Sequence, residues 1–395
     1  MRMHVLALNP TDSVTDGFLP AAARLGLDVT VLTDRPAAHR GRYPDAELVE
    51  CDVHDVRAVI GRIAALGPGD AILTNSDHLQ TQAALAAEYF GLPGKDWRAA
   101  LRAKDKAEMR RHLAATGLDT VRSAQLAPGE DAETLAAGLS YPCVVKPREG
   151  VASEDVVLAE GPGELVERVK EIRARRPEAT LVAEEYLPGE LYTLETLGDG
   201  RSLHVLGGFH TAVSAPPAFI EERLAFVAAH PEPVTAQVLA QLEALGVGFG
   251  ACHTEFVVHE GRARLIEVNY RAIGDQCDLL LAEVLDVPLF AHILRTHLGE
   301  PLPADLGART DGAAGVWYAL ADRAGTLTAA PAAQDRTADG VRLSYRPLRA
   351  IGTEQPHHRT NRDYLGALRA IGSDQRAVDR AVEAFFATER WEITR

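Results

Sequence analysis

The sequence predicts a soluble α/β protein that opens with a parallel β-sheet, and three observations lead to this fold class. The 395-residue chain is 46% hydrophobic and 25% charged, a composition that is ordinary for globular proteins and too apolar for a disordered one. Its length corresponds to two or three domains of common size. Its first hundred residues alternate short apolar runs with segments of helical periodicity, which is the pattern of strands and crossover helices.

The N-terminal region is predicted to be a Rossmann-like domain over residues 1–95. Glycines follow its amphipathic helices and supply their stops, as at Gly67 and Gly91. The turn after the first strand, residues 9–13, lacks the Gly-x-Gly-x-x-Gly pattern that allows a pyrophosphate to approach the backbone. A structural role is therefore favoured over dinucleotide binding. The predicted strands are residues 4–8, 28–32 and 71–74.

The middle of the chain, residues 96–302, is predicted to form a larger mixed region with a lid at about residues 118–187. A helix over residues 105–116 ends at Gly117, and a later helix buries Leu165, Val169 and Ile172 on one face. The predicted strands are residues 143–146, 180–184, 254–259 and 264–269.

The last part of the chain, residues 303–395, is predicted to be a small α+β domain. Residues 301–303 (Pro-Leu-Pro) and the Gly and Asp residues that follow indicate a linker. Two short strand-like runs come next, at residues 315–320 and 341–345. A final helix carries its apolar face on Val378, Ala381, Val382 and Phe385.

Charge and cysteine usage exclude several classes of function. With 41 basic against 56 acidic residues, the net charge of −15 repels phosphate backbones and anionic lipid, so we expect no nucleic-acid or membrane partner. Acidic residues and Pro288 break the most apolar stretch, residues 279–294, and residues 1–9 show no signal-peptide pattern. The four cysteines are widely spaced, which indicates reduced thiols and a cytoplasmic protein.

Oxygen-bearing side chains are concentrated on two neighbouring predicted strands. Glu267 and Asn269 are two residues apart on a strand and therefore share a face. If residues 260–262 form a three-residue hairpin loop, Glu255 lies opposite Glu267 and Phe256 opposite Ile266, whereas a two-residue loop sends the glutamates to opposite faces. Two carboxylates and an amide oxygen suit Mg²⁺ that is held partly by substrate phosphates. The alternative is a strand pair whose acids face solvent.

Two lysines are candidate phosphate ligands. Lys146 closes an apolar strand, and a buried ammonium needs an anionic partner, for which a triphosphate is one candidate. Lys106 begins an amphipathic helix, where a solvated surface lysine is the alternative. Residues 148–153 form a loop that could cover phosphates.

The candidate residues belong to a longer series of motifs, which is Asp105-Lys106, Val144-Val145-Lys146-Pro147, Glu184-Glu185-Tyr186-Leu187-Pro188-Gly189, Glu255 and Ile266-Glu267-Val268-Asn269-Tyr270-Arg271. In their order along the chain, these motifs resemble the ATP-grasp superfamily, and they are most similar to its carboxylate–amine ligase branch, which includes L-amino-acid ligases and carnosine synthases. The N-terminal segments 74–77 (Thr-Asn-Ser-Asp) and 91–94 (Gly-Leu-Pro-Gly) resemble that branch, as do residues 361–366, which are followed by an Ala-rich helix.

The resemblance implies an ATP-grasp fold and a role for each matching residue. Lys106 and Lys146 would hold the α- and β-phosphates, and Ser153 would belong to the phosphate loop. The adenine hinge would be formed, largely through backbone groups, by Glu184, Glu185, Tyr186 and Leu187. Two Mg²⁺ ions, or Mn²⁺ in their place, would be bound by Glu255, Glu267 and Asn269. Arg271, with Lys146, would be catalytic and would steady the transferring phosphoryl group and the acyl phosphate.

Two departures from the family pattern concern the phosphate loop and the ribose site. Glu154 and Asp155 stand where the family usually continues Gly-x-Gly-Ser-x-Gly, and acids near a triphosphate are unfavourable unless they point away or meet a basic substrate. The ribose-binding acid is shifted by one position, which makes Glu190 its candidate. Beside these motifs, His253 is interpreted mainly as a packing residue that points to the opposite or a neighbouring face from Glu255, with a substrate contact as the alternative. Asp275 is interpreted as either a contact to a substrate amine or a helix N-cap.

The implied function is ATP-dependent ligation of a carboxylate to an amine through an acyl phosphate, with release of ADP and phosphate. The expected substrates are small molecules, such as an amino acid or a specialised metabolite, and a homodimer is the default assembly. One alternative is a carboxylase or another acyl-phosphate enzyme with a non-amine acceptor. Another is a non-catalytic ATP-binding module.

Overall fold

The N-terminal region forms a four-stranded parallel sheet in a computed structural model that describes residues 1–150, 153–216, 218–307 and 312–394. The strand order is β3-β2-β1-β4, and every neighbouring pair is parallel. The elements are β1 (Arg2–Leu6), a π-helical segment (Ser13–Phe18), α1 (Leu19–Arg24), β2 (Asp28–Thr33), α2 (Pro36–Arg40), β3 (Glu47–Glu50), α3 (Val56–Leu66), β4 (Ala71–Thr74), a 3₁₀ turn (Asp77–Leu79) and α4 (Gln80–Tyr89). The predicted alternation of strands and helices is therefore confirmed.

Two helices connect this sheet to the rest of the molecule, α5 (Trp97–Lys104) and α6 (Lys106–Thr116). Asp105 caps α6 by accepting hydrogen bonds from the Ala107 and Glu108 amides at 3.0 and 3.1 Å. Gly117 ends the helix in the left-handed conformation at φ 74°. The cap places Lys106 in the first turn of α6, where its side chain reaches the central cavity.

A separate four-stranded antiparallel sheet occupies the predicted lid region, in the order β5-β8-β6-β7. Its helix α8 buries Leu165, Val169 and Ile172 against the sheet, as its periodicity predicts. The elements are β5 (Ser123–Leu126), α7 (Ala132–Ala137), β6 (Cys143–Pro147), β7 (Val157–Ala159), α8 (Pro162–Arg175) and β8 (Leu181–Glu185).

The largest sheet has nine strands in the order β13-β12-β9-β10-β11-β14-β19-β17-β16. It continues across the predicted boundary at residues 302 and 303, because β11 pairs with β14. Its first part consists of β9 (Leu191–Asp199), β10 (Leu203–Val213), β11 (Glu221–Val227), α9 (Glu232–Leu245), β12 (Phe249–His259), β13 (Arg262–Asn269), α10 (Cys277–Leu285) and α11 (Leu289–His297).

The C-terminal part supplies the other four strands of this sheet and a small second sheet, β18-β15-β20. Part of the predicted linker, residues 308–311, lies outside the described residues. No described helix is both long and apolar enough to cross a membrane. The elements are β14 (Ala313–Leu320), β15 (Gly325–Ala329), β16 (Gln334–Ala338), β17 (Val341–Pro347), β18 (Glu354–Gln355), a 3₁₀ turn (Asn361–Asp363), β19 (Tyr364–Gly372), α12 (Gln375–Thr388) and β20 (Glu392–Thr394).

The hairpin between β12 and β13 corrects the predicted three-residue loop. The loop has two residues, Glu260 and Gly261, both with positive φ, and Phe256 pairs with Leu265 rather than with Ile266. A two-residue loop alone would put Glu255 and Glu267 on opposite faces. The register shifts between Glu255 and Phe256, which makes Ile266 an extra, bulged residue. Glu255 therefore still pairs with Glu267. The predicted juxtaposition is therefore confirmed, but a β-bulge produces it.

Candidate active site

A cavity of about 310 Å³ lies where the lid sheet, α6, the β12–β13 hairpin and the C-terminal part meet. All but one of the predicted site residues line it. The exception is Glu190, whose side chain is 67% exposed and accepts a hydrogen bond from the Tyr192 hydroxyl at 2.6 Å. Its ribose-binding role stays a prediction. The predicted residues at the cavity are Lys106, Lys146, Ser153, Glu184, Glu185, Tyr186, Leu187, Glu255, Glu267, Asn269 and Arg271.

The three predicted metal ligands, Glu255, Glu267 and Asn269, come together on one wall of this cavity. Asn269 is 5% exposed, and its side-chain amide makes no hydrogen bond to any described residue. A buried amide without a partner and two carboxylates form a hard-oxygen donor set that fits Mg²⁺. No group of three or more His, Cys, Asp or Glu in the described part of the chain is arranged to hold a metal ion. A Mg²⁺ ion at this donor set would take its remaining ligands from substrate phosphates and water, as Mg²⁺ commonly does.

A buried histidine, His253, contacts Glu255, the first of these ligands. This contact was not predicted from the sequence. His253 lines the cavity on the same strand face as Glu255, with Nε2 3.4 Å from its carboxylate, and Nδ1 lies 2.8 Å from Glu195 Oε1. Burial opposes the charge of His253, but Glu195 and Glu255 together raise its pKa to about 10. The expectation that His253 points away is wrong, because residues two apart on a strand share a face.

The two predicted phosphate lysines are buried and already paired with carboxylates. Lys146 Nζ lies 2.7 Å from Glu184, which also accepts hydrogen bonds from Arg110 at 2.8 and 3.2 Å. Lys106 Nζ donates to Glu267 at 2.9 Å. Burial would raise the pKa of Glu184, but Arg110 and Lys146 hold that pKa well below its usual range. The resting anionic partner of Lys146 is thus a protein side chain, and Arg110 is a site residue that helical periodicity could not reveal.

The predicted adenine hinge, residues 184–187, leaves one main-chain donor free. The Glu185 amide donates to the Arg122 carbonyl at 2.9 Å, and the Tyr186 amide donates to the Pro142 carbonyl at 3.1 Å. The Leu187 amide makes no hydrogen bond to any residue the structure describes, and Leu187 lines the cavity. This amide is therefore available to an acceptor atom of a bound base.

The two acidic residues of the phosphate loop point toward arginines. Glu154 forms ion pairs with Arg176 at 2.5 Å and with Arg362, while Asp155 lies 2.6 Å from Arg175. These pairs neutralise both acids and tie the loop to the end of α8 and to the C-terminal part. Ser153 lines the cavity with φ 55°. Two loop residues of the sequence prediction, Val151 and Ala152, lie outside the described residues.

The cavity is also lined by Arg271 and by two carboxylates, Glu221 and Asp275, that make no ion pair within the described parts of the chain. Arg271 Nη1 donates to the carbonyls of Ala272 and Ile273 at 2.8 and 2.5 Å. Burial, with nearby Glu255 and Asp275, raises the pKa of Glu221 to about 8. Asp275 does not cap α10, because the N-cap residue is Gln276.

Two stacked tyrosines of the C-terminal part hold these two carboxylate residues. The rings of Tyr318 and Tyr364 are 3.9 Å apart and nearly parallel. The Tyr318 hydroxyl donates to the Asp275 carbonyl at 2.9 Å, and the Tyr364 hydroxyl donates to the Glu221 carbonyl at 3.0 Å. No local pattern in the sequence reveals Glu221 as a site residue, because its neighbours come from distant segments.

Comparisons with known proteins agree with this architecture. Residues 139–279 match the family model of the ATP-grasp domain. The whole chain is 27% identical to the uncharacterized protein y4rH of Sinorhizobium fredii (strain NBRC 101917 / NGR234), over 84% of that protein. The fold of the present chain is similar to that of an L-amino acid ligase from Bacillus licheniformis, with a TM-score of 0.83 and 22% identity. The match covers 100% of this chain and 99% of the ligase chain. The fold is also similar to that of a phosphoribosylglycinamide synthetase from Anaerococcus prevotii, with a TM-score of 0.75, 14% identity and full coverage of both chains.

Residues 139–279 therefore form an ATP-grasp domain, which confirms the predicted resemblance over that range. The chain as a whole has the fold of the L-amino acid ligase and the phosphoribosylglycinamide synthetase. The predicted mixed α/β fold class with an N-terminal parallel sheet is confirmed.

Proposed function

We propose that this protein is an ADP-forming ligase that joins a carboxylate to an amine through an acyl phosphate. The observation that carries the proposal is the convergence of three kinds of group on one cavity. Two buried lysines, two carboxylates with a side-chain amide, and Arg271 all line it. Phosphoryl transfer depends mainly on positioning and charge neutralisation, which this set supplies.

The nucleotide is proposed to lie along the cavity from the hinge to Arg271. The free Leu187 amide would donate to the adenine ring, while Lys106 and Lys146 would contact the α- and β-phosphates. Glu255, Glu267 and Asn269 would hold two Mg²⁺ ions, or Mn²⁺, which when bound neutralise and orient the β- and γ-phosphates. The paired acids Glu154 and Asp155 leave the phosphate region without uncompensated negative charge.

The reaction is proposed to proceed in two displacements. A substrate carboxylate oxygen attacks the γ-phosphorus, a new C–O–P linkage forms, and the bond to the β-phosphate oxygen breaks to release ADP. A cationic amine would first give one proton to the Asp275 carboxylate, which frees the nitrogen lone pair. The neutral amine nitrogen would then attack the acyl carbon, the C–O bond to phosphate would break, and the released phosphate would take the second proton from nitrogen. Arg271 would stabilise the negative charge of the transferring phosphoryl group and of the acyl phosphate.

The acceptor and the biological setting belong to the same proposal. An amine acceptor is preferred over bicarbonate because the Asp275 carboxylate, which lines the cavity and makes no ion pair with a described residue, would attract an amine and repel a second anion. A non-catalytic module is disfavoured because binding alone does not require Arg271 beside a complete donor set. An amino acid or a specialised metabolite is the proposed substrate class. A homodimer is the proposed assembly. The cytoplasm is the proposed location, which is consistent with four buried free thiols.

The test combines a substrate panel with two matched variants on one hairpin. ATP, Mg²⁺ and a mixture of amino acids and amines should yield ADP, phosphate and a new amide, detected by mass spectrometry. Glu267→Ala should abolish turnover while the protein stays folded. Glu260→Ala, in the turn with an 80% exposed side chain, should leave turnover unchanged. Formation of AMP and pyrophosphate, bicarbonate-dependent ADP release without an amine, or full activity of Glu267→Ala would each contradict the proposal.

A further inference from the structure

A buried lysine outside the cavity lies behind the segment that carries Asn269 and Arg271. Only five of the 41 basic residues are lysines, and Lys95 is one of them, with 9% of its surface exposed. It makes no ion pair with any described residue. Its ammonium group donates to the side-chain carbonyl of Gln80 at 2.7 Å and to the main-chain carbonyl of Tyr270. The Tyr270 ring centroid is 4.4 Å away.

Gln80 is itself held rigidly at the exit of β4. Its side-chain amide donates to the carbonyls of Thr74 and Ser76 at 3.1 and 3.0 Å, which leaves its oxygen free to accept from Lys95. A continuous chain of hydrogen bonds therefore runs from the parallel sheet, through Gln80 and Lys95, to Tyr270. Each step is buried, where an unsatisfied group costs the most.

The same N-terminal loop contacts the two residues that follow Tyr270. Asn75 Oδ1 accepts from the Ala272 amide at 3.2 Å, and Asp77 lies 3.9 Å from Arg271 Nε while pairing with Lys104 at 2.5 Å. Residues 74–77 thus contact Arg271 and Ala272, and with Lys95 they account for contacts to three consecutive residues, 270–272. A loop with only a packing role would not need this series of directed polar contacts.

The geometry points to Lys95 as a positioning residue for the metal and phosphoryl site. The Tyr270 carbonyl belongs to the planar peptide unit that leads into Arg271, so a hydrogen bond to it limits rotation of the backbone between Asn269 and Arg271. Outer partners that orient ligands commonly alter metal affinity or activity 10–100-fold when they are lost. The proposal rests on the roles proposed above for Asn269 and Arg271.

Lysine is suited to this position by size as well as by its donors. A Cβ placed on Gly250 would lie 2.9 Å from Lys95 Cε, so the side chain runs in close contact with the backbone there. The far end of the Tyr270 side chain is also held in place, because its hydroxyl accepts hydrogen bonds from the Gly248 and Phe249 amides at 3.1 Å each. Removing the Lys95 donor therefore releases one end of a residue that stays anchored at the other.

The experiment compares Lys95→Met with the wild type by binding of ADP and Mn²⁺, which requires no knowledge of the substrate. Methionine keeps the length and removes the donor. We expect the dissociation constant of Mn²⁺ in the presence of ADP, measured by electron paramagnetic resonance, to rise about 10–100-fold. Any ATP turnover found with the substrate panel should show a lower kcat rather than only a higher KM.

Controls separate this role from general stability. Lys170→Met, on the exposed face of α8, should bind Mn²⁺ and ADP normally, and Ile63→Val, in the core of the N-terminal sheet, should lower the melting temperature without weakening binding. If Lys95→Met does not fold, Gln80→Leu tests the same chain and should weaken binding in the same direction.

Equal Mn²⁺ affinity in folded Lys95→Met and wild type would overturn the proposal, as would a loss that Ile63→Val reproduces at matched stability. If the wild type itself bound no Mn²⁺ with ADP, the proposed metal site would be wrong, and the two failures are thus distinguishable.

Discussion

Replacing Glu184 by glutamine should destabilise the protein far more than the same change at the neighbouring Glu185. Glu184 is buried between Arg110 and Lys146, with contacts of 2.7–3.2 Å. Loss of its charge leaves buried Lys146 without its anionic partner and Arg110 with only Asp119, at 3.6 Å, and breaking a buried pair in this way costs about 3–5 kcal/mol. For a cooperative unit of 150–250 residues, this corresponds to a melting temperature lower by roughly 6–20 °C.

Glu185 provides the matched control because its partner is exposed. Its carboxylate pairs with Arg122 at 3.1 Å, and the Arg122 side chain is 69% exposed. Exposed pairs contribute only about 0.2–1 kcal/mol, so Glu185→Gln should lower the melting temperature by roughly 4 °C or less. Differential scanning calorimetry of both variants at pH 7 measures the contrast directly.

The pH dependence gives the same prediction a second readout. The pKa of Glu184 lies below its usual range in the folded protein, so its stabilisation is present above the ordinary carboxyl pKa of 4.5 and is lost as the pH falls below it. Because Glu184→Gln lacks this contribution at every pH, the stability gap between wild type and variant should narrow from pH 6 to pH 3. Equal effects of the two substitutions, or a gap that stays constant with pH, would refute the reasoning.

Three further predictions follow from other parts of the cavity. Ile266→Ala removes apolar contacts at a residue that the bulge turns toward the cavity. A loss of about 1 kcal/mol of nucleotide-binding free energy should raise the KM for ATP roughly fivefold with kcat unchanged. A fall in kcat alone would contradict this. Glu154 and Arg362 form an ion pair, so a double-mutant cycle with Glu154→Gln and Arg362→Gln should give a coupling energy of about 0.5–3 kcal/mol in Mn²⁺–ADP affinity. Strictly additive effects would show that this ion pair does not hold the phosphate loop. Because burial raises the pKa of Glu221 to about 8, the folded protein binds its proton more tightly than the unfolded chain does, and stability falls as the pH rises from 4.5 to 8. Glu221→Gln should therefore gain stability relative to the wild type across that range, and a difference independent of pH would count against the burial of Glu221.

Strand alternation was sufficient to predict that Glu267 and Asn269 share a face, but not the hairpin that places Glu255 opposite Glu267. Glu267 and Asn269 share a face wherever the strand begins, because side chains alternate with a period of two. The loop length and the bulge depend on how Leu265 and Val268 pack into the core beneath the hairpin. Such packing is set by distant residues, so local sequence predicts the outcome only when a bulge is absent.

The partners of charged residues were the least predictable part of the site. Arg110 lies on an amphipathic helix, where arginine usually faces solvent, yet it is buried against Glu184 from the lid sheet. Glu221 reaches the cavity because β11 lies between β10 and β14 in the large sheet. Neither placement leaves a local pattern, because Arg110 and Glu184 are 74 positions apart and Glu221 is contacted by Tyr364, 143 positions further along the chain.

The two acids of the phosphate loop, Glu154 and Asp155, are explained by ion pairs that only the structure shows. Two acids in a phosphate loop appeared unfavourable from sequence alone, since their neighbours along the chain include only one nearby cation, Arg148. In the structure, arginines from α8 and from the C-terminal part neutralise both acids.

The central claim is that Glu255, Glu267 and Asn269 together hold divalent cations on a bound nucleotide. Crystals grown with ADP and Mn²⁺ and measured at the manganese absorption edge test it most directly. The account predicts anomalous peaks within roughly 2.0–2.4 Å of oxygens from all three side chains, next to the diphosphate. Manganese bound elsewhere, or a diphosphate that lies away from this wall of the cavity, would contradict it.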